Sequence, residues 1–384
     1  MDESTNKKKT SSGLSPAAAL LFLLICLACA LLLAFCVRLS SAASGGSDAR
    51  RSLTESFDAS ANNAKSQALD GLTYIRKIYK IPEQDLAAPA PDPASFGSTT
   101  DPAVIQELVD RAEVLLEGQE TAWTPDIQLF RYAEYNYYYD ETILVITWKE
   151  KIRDRCCTFA EIKIADGSQL RRKLSGDSYD SGVREYCSQL GREANAVIAT
   201  NGDFYAHRQF GVTVYQRQLY RCELDYLDNC FFTASGDMLL VPQGELTSRE
   251  QVEQYIRDND VVFSAAFGPI LVHNGELQDI YTYRIGDTGL SYSRSVIGQL
   301  GERHYLLMTI NYDFRVSETA TINMAGEIIY GKGVKEAYAL DGGQTSELWM
   351  NGKILNQVDF DAERQVSDIF YFASALPAGT EGKA

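Results

Sequence analysis

Ala196-Val197-Ile198-Ala199-Thr200-Asn201-Gly202-Asp203-Phe204-Tyr205 is an apolar run that breaks into a polar cluster around a glycine. Ala194 to Thr200 reads as a short strand buried on both faces. A rigid strand of this kind delivers Asn201 and Asp203 to its end, where Gly202 lets a ligand approach the backbone. Two further stretches repeat the arrangement. His304 to Asn311 runs into Tyr312-Asp313-Phe314-Arg315, and Ala337-Tyr338-Ala339-Leu340 runs into Asp341-Gly342-Gly343-Gln344-Thr345-Ser346. Gly342 and Gly343 can present successive N–H groups to an anion, and Gln344, Thr345 and Ser346 add neutral donors. Local pattern alone fits plain turns at Asn201-Gly202-Asp203 and Asp341-Gly342-Gly343 equally well.

Outward from these stretches, aromatic and β-branched segments predict more strands. They include the Tyr-rich run 132–139, Ile143-Leu144-Val145-Ile146, Phe159 to Ile164, and segments at 212–215, 238–241, 269–273, 295–299, 305–310, 337–340 and 347–350. The Tyr-rich run reads as a half-buried strand, with a sugar-stacking platform as the sharper alternative. Asn274-Gly275 and Asn351-Gly352 are tight-hairpin signals. Helices are expected at 101–117, with Asp101 as cap and Pro102 in the first turn, at 247–257, and at 317–331 with Ser317 as cap. A short helix over 61–80 is a further expectation. The sum is an α+β fold: a mixed β-sheet core with flanking helices over 126–376, after a helical lead-in at 101–125 and before a tail at 377–384.

Composition narrows the function. The 384 residues carry 36 Lys+Arg against 52 Asp+Glu, a formal net charge of −16. Nucleic acid is excluded as the main partner, because phosphate-backbone binding needs clustered cations. With 22 Tyr and only 3 His, the chemistry is expected from carboxylates, amides and Arg. No Cys/His spacing resembles a zinc site, and no cofactor is expected.

Ala17–Val37 is an unbroken apolar run that spans about 30 Å as a helix, the thickness of a bilayer core. It reads as a transmembrane signal anchor following a tail at 1–16; Ser40-Ser41-Ala42-Ala43-Ser44 leaves cleavage as the alternative. Residues 38–100 then form a membrane-proximal tether and a Pro/Ala/Ser linker. Length places the rest of the chain outside the cytoplasm, at the cell membrane. Five cysteines lie beyond the span, and Cys222 and Cys230, which close a short loop, are the candidate bridge.

Taken in order, several segments resemble the phosphodiester glycosidase family. They are Ile162 to Asp166 with Gly176-Asp177, Asn195 to Tyr205, Phe267 to Val272 with Asn274-Gly275, Arg294-Ser295-Val296-Ile297-Gly298, Gly333 to Gly343, and Asn351-Gly352-Lys353. The resemblance covers roughly 160–360. It departs at Gln344 and Thr345, where the family usually reads Gly-Ser, and at Asp313-Phe314, where it tends to read Asp-Gly.

The resemblance implies hydrolysis of a sugar-1-phosphodiester at its glycosidic bond, within a cell-surface or exopolysaccharide glycan. Asp203 and Asp341 are then the candidate catalytic carboxylates. Arg294 is the candidate phosphate clamp, since a guanidinium matches phosphate bidentately. Asn201, Thr345 and Ser346 would orient hydroxyls or phosphate oxygens, beside Gly342 and Gly343. Asp313 would support the site, or would join Asp203 and Asp341 around a hard cation. A non-catalytic protein that binds an anionic glycan and an ordinary glycosidase on the same scaffold are the rival readings. Oligomeric state is not legible.

Overall fold

The run Ile143–Ile146 is apolar at every position because both faces of its sheet are covered. In this computed structural model, which describes residues 79–377 apart from 225, 281–288 and 313–318, alternate residues enter two different cores. Leu144, Ile146, Leu306 and Met308 pack with Ile105 and Leu108 of the helix Pro102–Arg111 and with Ile322 and Ile329 of the helix Ile322–Tyr330. Val145, Leu307, Ile297 and Tyr338 face the other way, onto Ile198, Leu348, Phe370 and Phe372.

These opposed faces belong to a nine-stranded sheet. Its central strands are Ile143–Ile152, Arg155–Ile164, His304–Asn311, Arg294–Gly301 and Glu336–Leu340, in that spatial order. A five-stranded sheet stacks on it, with Ile198–Asn201 between Leu348–Met350 and Asp368–Phe372, and with Leu170–Leu174 at one edge. The helix Cys187–Glu193 covers the far face of this second sheet through Leu190, Ala199, Trp349 and Tyr371. The result is a sheet-dominated α+β fold with few helices. A mixed sheet is the sequence expectation, yet the strand pairings in both sheets are antiparallel. Hairpins account for part of this, because a two-residue turn can only reverse the chain. Asn274-Gly275 and Asn351-Gly352 are such turns, with positive φ at both residues.

Three expectations need correction. The helix placed at 317–331 starts at Ile322, capped by Thr321, whose hydroxyl accepts from the Met324 N–H. Ala320 exchanges two backbone hydrogen bonds with Tyr292, which holds it extended. Cys222 and Cys230 are both free. They sit in strands of different sheets, Gln218–Glu223 and Asn229–Thr233. The linker expected before residue 101 is packed from Tyr79 onward. Ile81 and Ala88 are buried, the Asn195 amide donates to the Ala88 carbonyl at 2.8 Å, and Phe96–Thr99 pairs with Tyr135–Asp140. Among the described residues no helix is long and apolar enough to cross a membrane. The apolar run 17–37, the signal-anchor expectation and nearly all of the helix expected at 61–80 lie outside them.

Candidate functional site

The two sheets meet where their strands end. Ile198–Asn201 and Glu336–Leu340 finish at the same edge at which Arg294–Gly301 and Asp368–Phe372 begin. The Asp341 N–H donates to the Gly202 carbonyl at 3.2 Å, and the Asn201 amide donates to the Asp341 carbonyl at 2.7 Å. Asn201 is fully buried, and its amide oxygen accepts from the Ser295 hydroxyl at 2.7 Å and the Glu347 N–H at 3.2 Å. Its polar capacity therefore goes into fastening the two strand ends together.

Asp341 sits half-buried just past this fastening. One carboxylate oxygen accepts from the Gly342 N–H and the other from the Thr345 hydroxyl, both at 3.0 Å. Thr345 has one proton and two acceptors, the second being the Gly342 carbonyl at 2.9 Å, so it serves them in turn. The surrounding protein strips water from the carboxyl and pushes its pKa up to about 6, against the pull of Thr345, Arg364, Gly342 and Arg208. The Gly343 N–H, expected to face an anion, donates instead to the Ser293 carbonyl at 2.8 Å. Ser346 is buried, and its hydroxyl has no partner among the described residues.

Asp203 faces the interior, and its side chain has no exposed surface. One oxygen accepts from the Tyr205 N–H at 2.8 Å and the other from the Ala266 N–H at 2.7 Å. Its counter-charge is Arg172, at 3.0 Å. The same guanidinium donates to Asp368 at 2.7 Å, donates to the Ser264 carbonyl, and lies over the rings of Tyr205 and Phe370. Burial raises the Asp368 carboxyl well above the usual range, while Asp203 and Asp368 together raise the Arg172 guanidinium against its own desolvation. A Cβ on Gly202 would collide with the Asp368 carboxylate, so this turn needs a glycine.

Arg294 is turned away from both acids. Its guanidinium donates to the Ala320 carbonyl at 2.9 Å and the Leu290 carbonyl at 2.7 Å, and lies over Tyr292. Desolvation lowers its pKa to about 10. Asp313 lies outside the described residues.

The cations near Asp341 are different ones, and they line two adjoining clefts. A cleft of about 670 Å³ is walled by Arg184, Arg208, Arg221, Tyr179, Tyr205 and Phe210, among others. A second, of about 390 Å³, is lined by Arg184, Tyr186, His207, Gln344, Glu363, Arg364 and Gln365. Arg184 belongs to both, and Asp341 feels one cation from each, Arg208 and Arg364. In the larger cleft Tyr179 stacks between Tyr205 and Tyr220, with ring centroids 5.2 and 4.8 Å away. His207 stacks on Phe204 and accepts from Arg184 at 3.2 Å. Desolvation, Arg184 and Arg364 lower its pKa, which favours the neutral ring. Within a chain of net charge −16, four arginines gather at this rim, Arg184, Arg208, Arg221 and Arg364, alongside Asp180, Glu223 and Glu363.

Residues 194–373 match the phosphodiester glycosidase family. The matched span contains Asn201, Asp203, Arg294 and the Asp341–Ser346 loop, together with Arg208, Arg221 and Arg364. Arg172, Tyr179 and Arg184 precede it.

Among solved structures, the chain is similar to the catalytic domain of zebrafish N-acetylglucosamine-1-phosphodiester alpha-N-acetylglucosaminidase auto-inhibited by its pro-peptide. The identity is 13% over 60% of this chain and 83% of that one, with a TM-score of 0.49. A hypothetical protein from Synechocystis is similar at 12% identity, over 65% of each chain, with a TM-score of 0.48. A putative exported protein from Burkholderia pseudomallei is similar at 12% identity, over 57% of this chain and 74% of that one, with a TM-score of 0.40. No curated protein sequence matches.

The phosphodiester glycosidase match and the geometry share the turn at Asn201 and the loop at Asp341. The cleft arginines have weaker sequence signals. Arg208 follows the Asn201-Gly202-Asp203 cluster closely enough to be suspected, whereas Arg184 and Arg364 sit in polar stretches with no motif around them.

Proposed function

We propose that this protein hydrolyses the glycosidic bond of a sugar-1-phosphodiester, with Asp341 as the base that activates water. The observation that carries this reading is the placement of Asp341. It is a half-buried carboxyl held by two donors, within electrostatic reach of a cation from each of two adjoining clefts.

In the proposed step, water attacks the anomeric carbon while its proton passes to the Asp341 carboxylate. The bond from that carbon to the phosphate oxygen breaks, and the electron pair leaves with the phosphomonoester. That leaving group is a stable anion near neutral pH, so little help from a general acid is needed. Arg208 has guanidinium donors beyond the one it gives the Phe267 carbonyl at 3.1 Å, and it is placed to hold the phosphate. Arg221 adds charge to the wall: its Nε and Nη2 are buried and carry no hydrogen-bond partner among the described residues. Asp203, sealed against Arg172, serves to position the turn. A retaining mechanism needs a second carboxyl at the reacting face, and a single carboxyl supports direct displacement with inversion.

The test is hydrolysis of N-acetylglucosamine-1-phosphate methyl diester, followed by anomeric NMR of the released sugar. The rate is expected to rise with pH through an apparent pKa near 6, because the base is inactive while protonated. The first-formed sugar should have the inverted configuration. A rate that falls through pH 6 would make Asp341 an acid and would overturn its assigned role.

We further propose that Ala17–Val37 anchors the chain in the cell membrane with the hydrolase outside the cytoplasm, on the strength of its uninterrupted apolar length. After an alkaline carbonate wash of expressing cells, the protein is expected in the membrane pellet. Recovery in the supernatant would remove the anchor.

A further inference from the structure

The larger cleft accounts for one sugar phosphodiester and leaves the smaller one unexplained. Resting on the reading of function above, we infer that the cleft formed by Arg184, Tyr186, His207, Gln344 and Arg364 is a second oxyanion subsite. The substrate is then an oligomer with a repeated anionic linkage rather than a single sugar diester.

The charges in this cleft are arranged for an anion. Arg364 is exposed and has no hydrogen bond or ion pair among the described residues. Arg184 donates to the His207 ring and the Val183 carbonyl, so among the described residues its guanidinium is hydrogen-bonded to no carboxylate. The acid in the lining is Glu363, and it is pinned from behind: one oxygen accepts from the Ser188 N–H at 3.1 Å and the other from the Ser188 hydroxyl at 2.8 Å. Glu363 also acts on the buried Glu347, whose carboxyl pKa is pushed up to about 9 mainly by desolvation and further by Glu363. Two arginines thus face a cleft whose acid is committed to the protein. Solvated arginines in an acidic chain usually collect carboxylate partners, and among the described residues no carboxylate forms a hydrogen bond or close ion pair with either of these two, although Arg364 acts on Asp341 through its charge.

Size and neutral lining fit a sugar beside that anion. A volume of about 390 Å³ lies within the range of small-molecule sites. Tyr186 is partly exposed and offers a ring face. Gln344 donates its amide to the Ala362 carbonyl at 3.1 Å, which leaves its amide oxygen to accept from a hydroxyl. Because Arg184 is shared with the larger cleft, a chain lying along the rim would pass Asp341 with one linkage on Arg208 and the next on Arg364. In this arrangement Gln344 and Arg364 set the length preference of the enzyme.

Binding, measured apart from turnover, tests this. The full-length chain carrying D341N, in detergent, is titrated by calorimetry with three ligands. They are N-acetylglucosamine-1-phosphate methyl diester, its two-unit phosphodiester-linked counterpart, and a single-phosphate diester extended by one uncharged sugar. The two-phosphate ligand should bind about tenfold more tightly than the one-phosphate ligand, the scale of one charge-assisted hydrogen bond. R364Q should reduce that ratio to within about twofold, and the uncharged extension should gain far less than the second phosphate. Equal affinity for one and two phosphates, a ratio that survives R364Q, or an equal gain from the neutral sugar would each overturn the inference. If the chain with Asp341 intact releases no sugar from any of these compounds, the proposed hydrolysis fails instead, and the affinity ratio still decides whether the second subsite exists.

Discussion

Replacing Asp341 with Asn is expected to reduce sugar release from the methyl diester by roughly a thousandfold, within the range a general base contributes. The fold should survive. The oxygen of the new amide can still accept from the Gly342 N–H, and the Thr345 hydroxyl keeps the Gly342 carbonyl as its acceptor. The amide also avoids the desolvation that raises the carboxyl. Stability should therefore change by no more than about 1 kcal/mol, and the residual rate should lose its dependence on pH near 6. A variant with wild-type turnover would take Asp341 out of the chemistry. A variant that fails to fold, by circular dichroism, would assign it to the scaffold.

Replacing Arg172 with Met should produce the largest loss of stability in the domain. Asp203 and Asp368 have fully buried side chains that share this one guanidinium, and removing it strands two carboxyls in the interior. Breaking a buried pair from one side costs about 3–5 kcal/mol, read as a lower urea midpoint at unchanged slope. The triple variant R172M/D203N/D368N, which also removes the acids, should regain most of that loss. A single variant as stable as wild type would mean that the network does not hold the turn at Gly202.

Arg172 also shows where the sequence stops being readable. Leu170-Arg171-Arg172-Lys173-Leu174 looks like a solvated charge run, yet it is a fully buried strand. Two of the three charges are matched at long range, Arg171 by Tyr371 and backbone carbonyls near Pro82 and Arg172 by Asp203 and Asp368, while Lys173 pairs with the nearby Asp177 and more loosely with Glu193. Hydropathy cannot anticipate partners that arrive from distant parts of the chain. Ile143–Ile146 and Tyr305–Ile310 were legible because burial on both faces leaves an apolar run, and the two Asn-Gly hairpins because their positive φ demands those residues. In the site, the convergence of Asn201 and Asp341 followed from two strands ending in the same pattern. Which way each side chain turns did not follow. Asp203 turns inward to two backbone N–H groups and Arg294 to two carbonyls, because these nearer donors and acceptors compete with any ligand; Ser346 is buried without such a partner among the described residues.

The packed stretch from Tyr79 to Thr99 has a practical consequence for anyone dissecting this chain. Cutting at the helix cap, Asp101, would look natural, but it would remove the outermost strand, Phe96–Thr99, and bare the edge of its neighbour Tyr135–Asp140. It would also unplug Ile81 and Ala88 from the face formed by Leu190 and Ala194. A bared edge invites pairing between copies, so a truncated piece that precipitates would say little about the hydrolase. Packing is continuous from Tyr79 onward, and a soluble version for assay should begin no later than that residue.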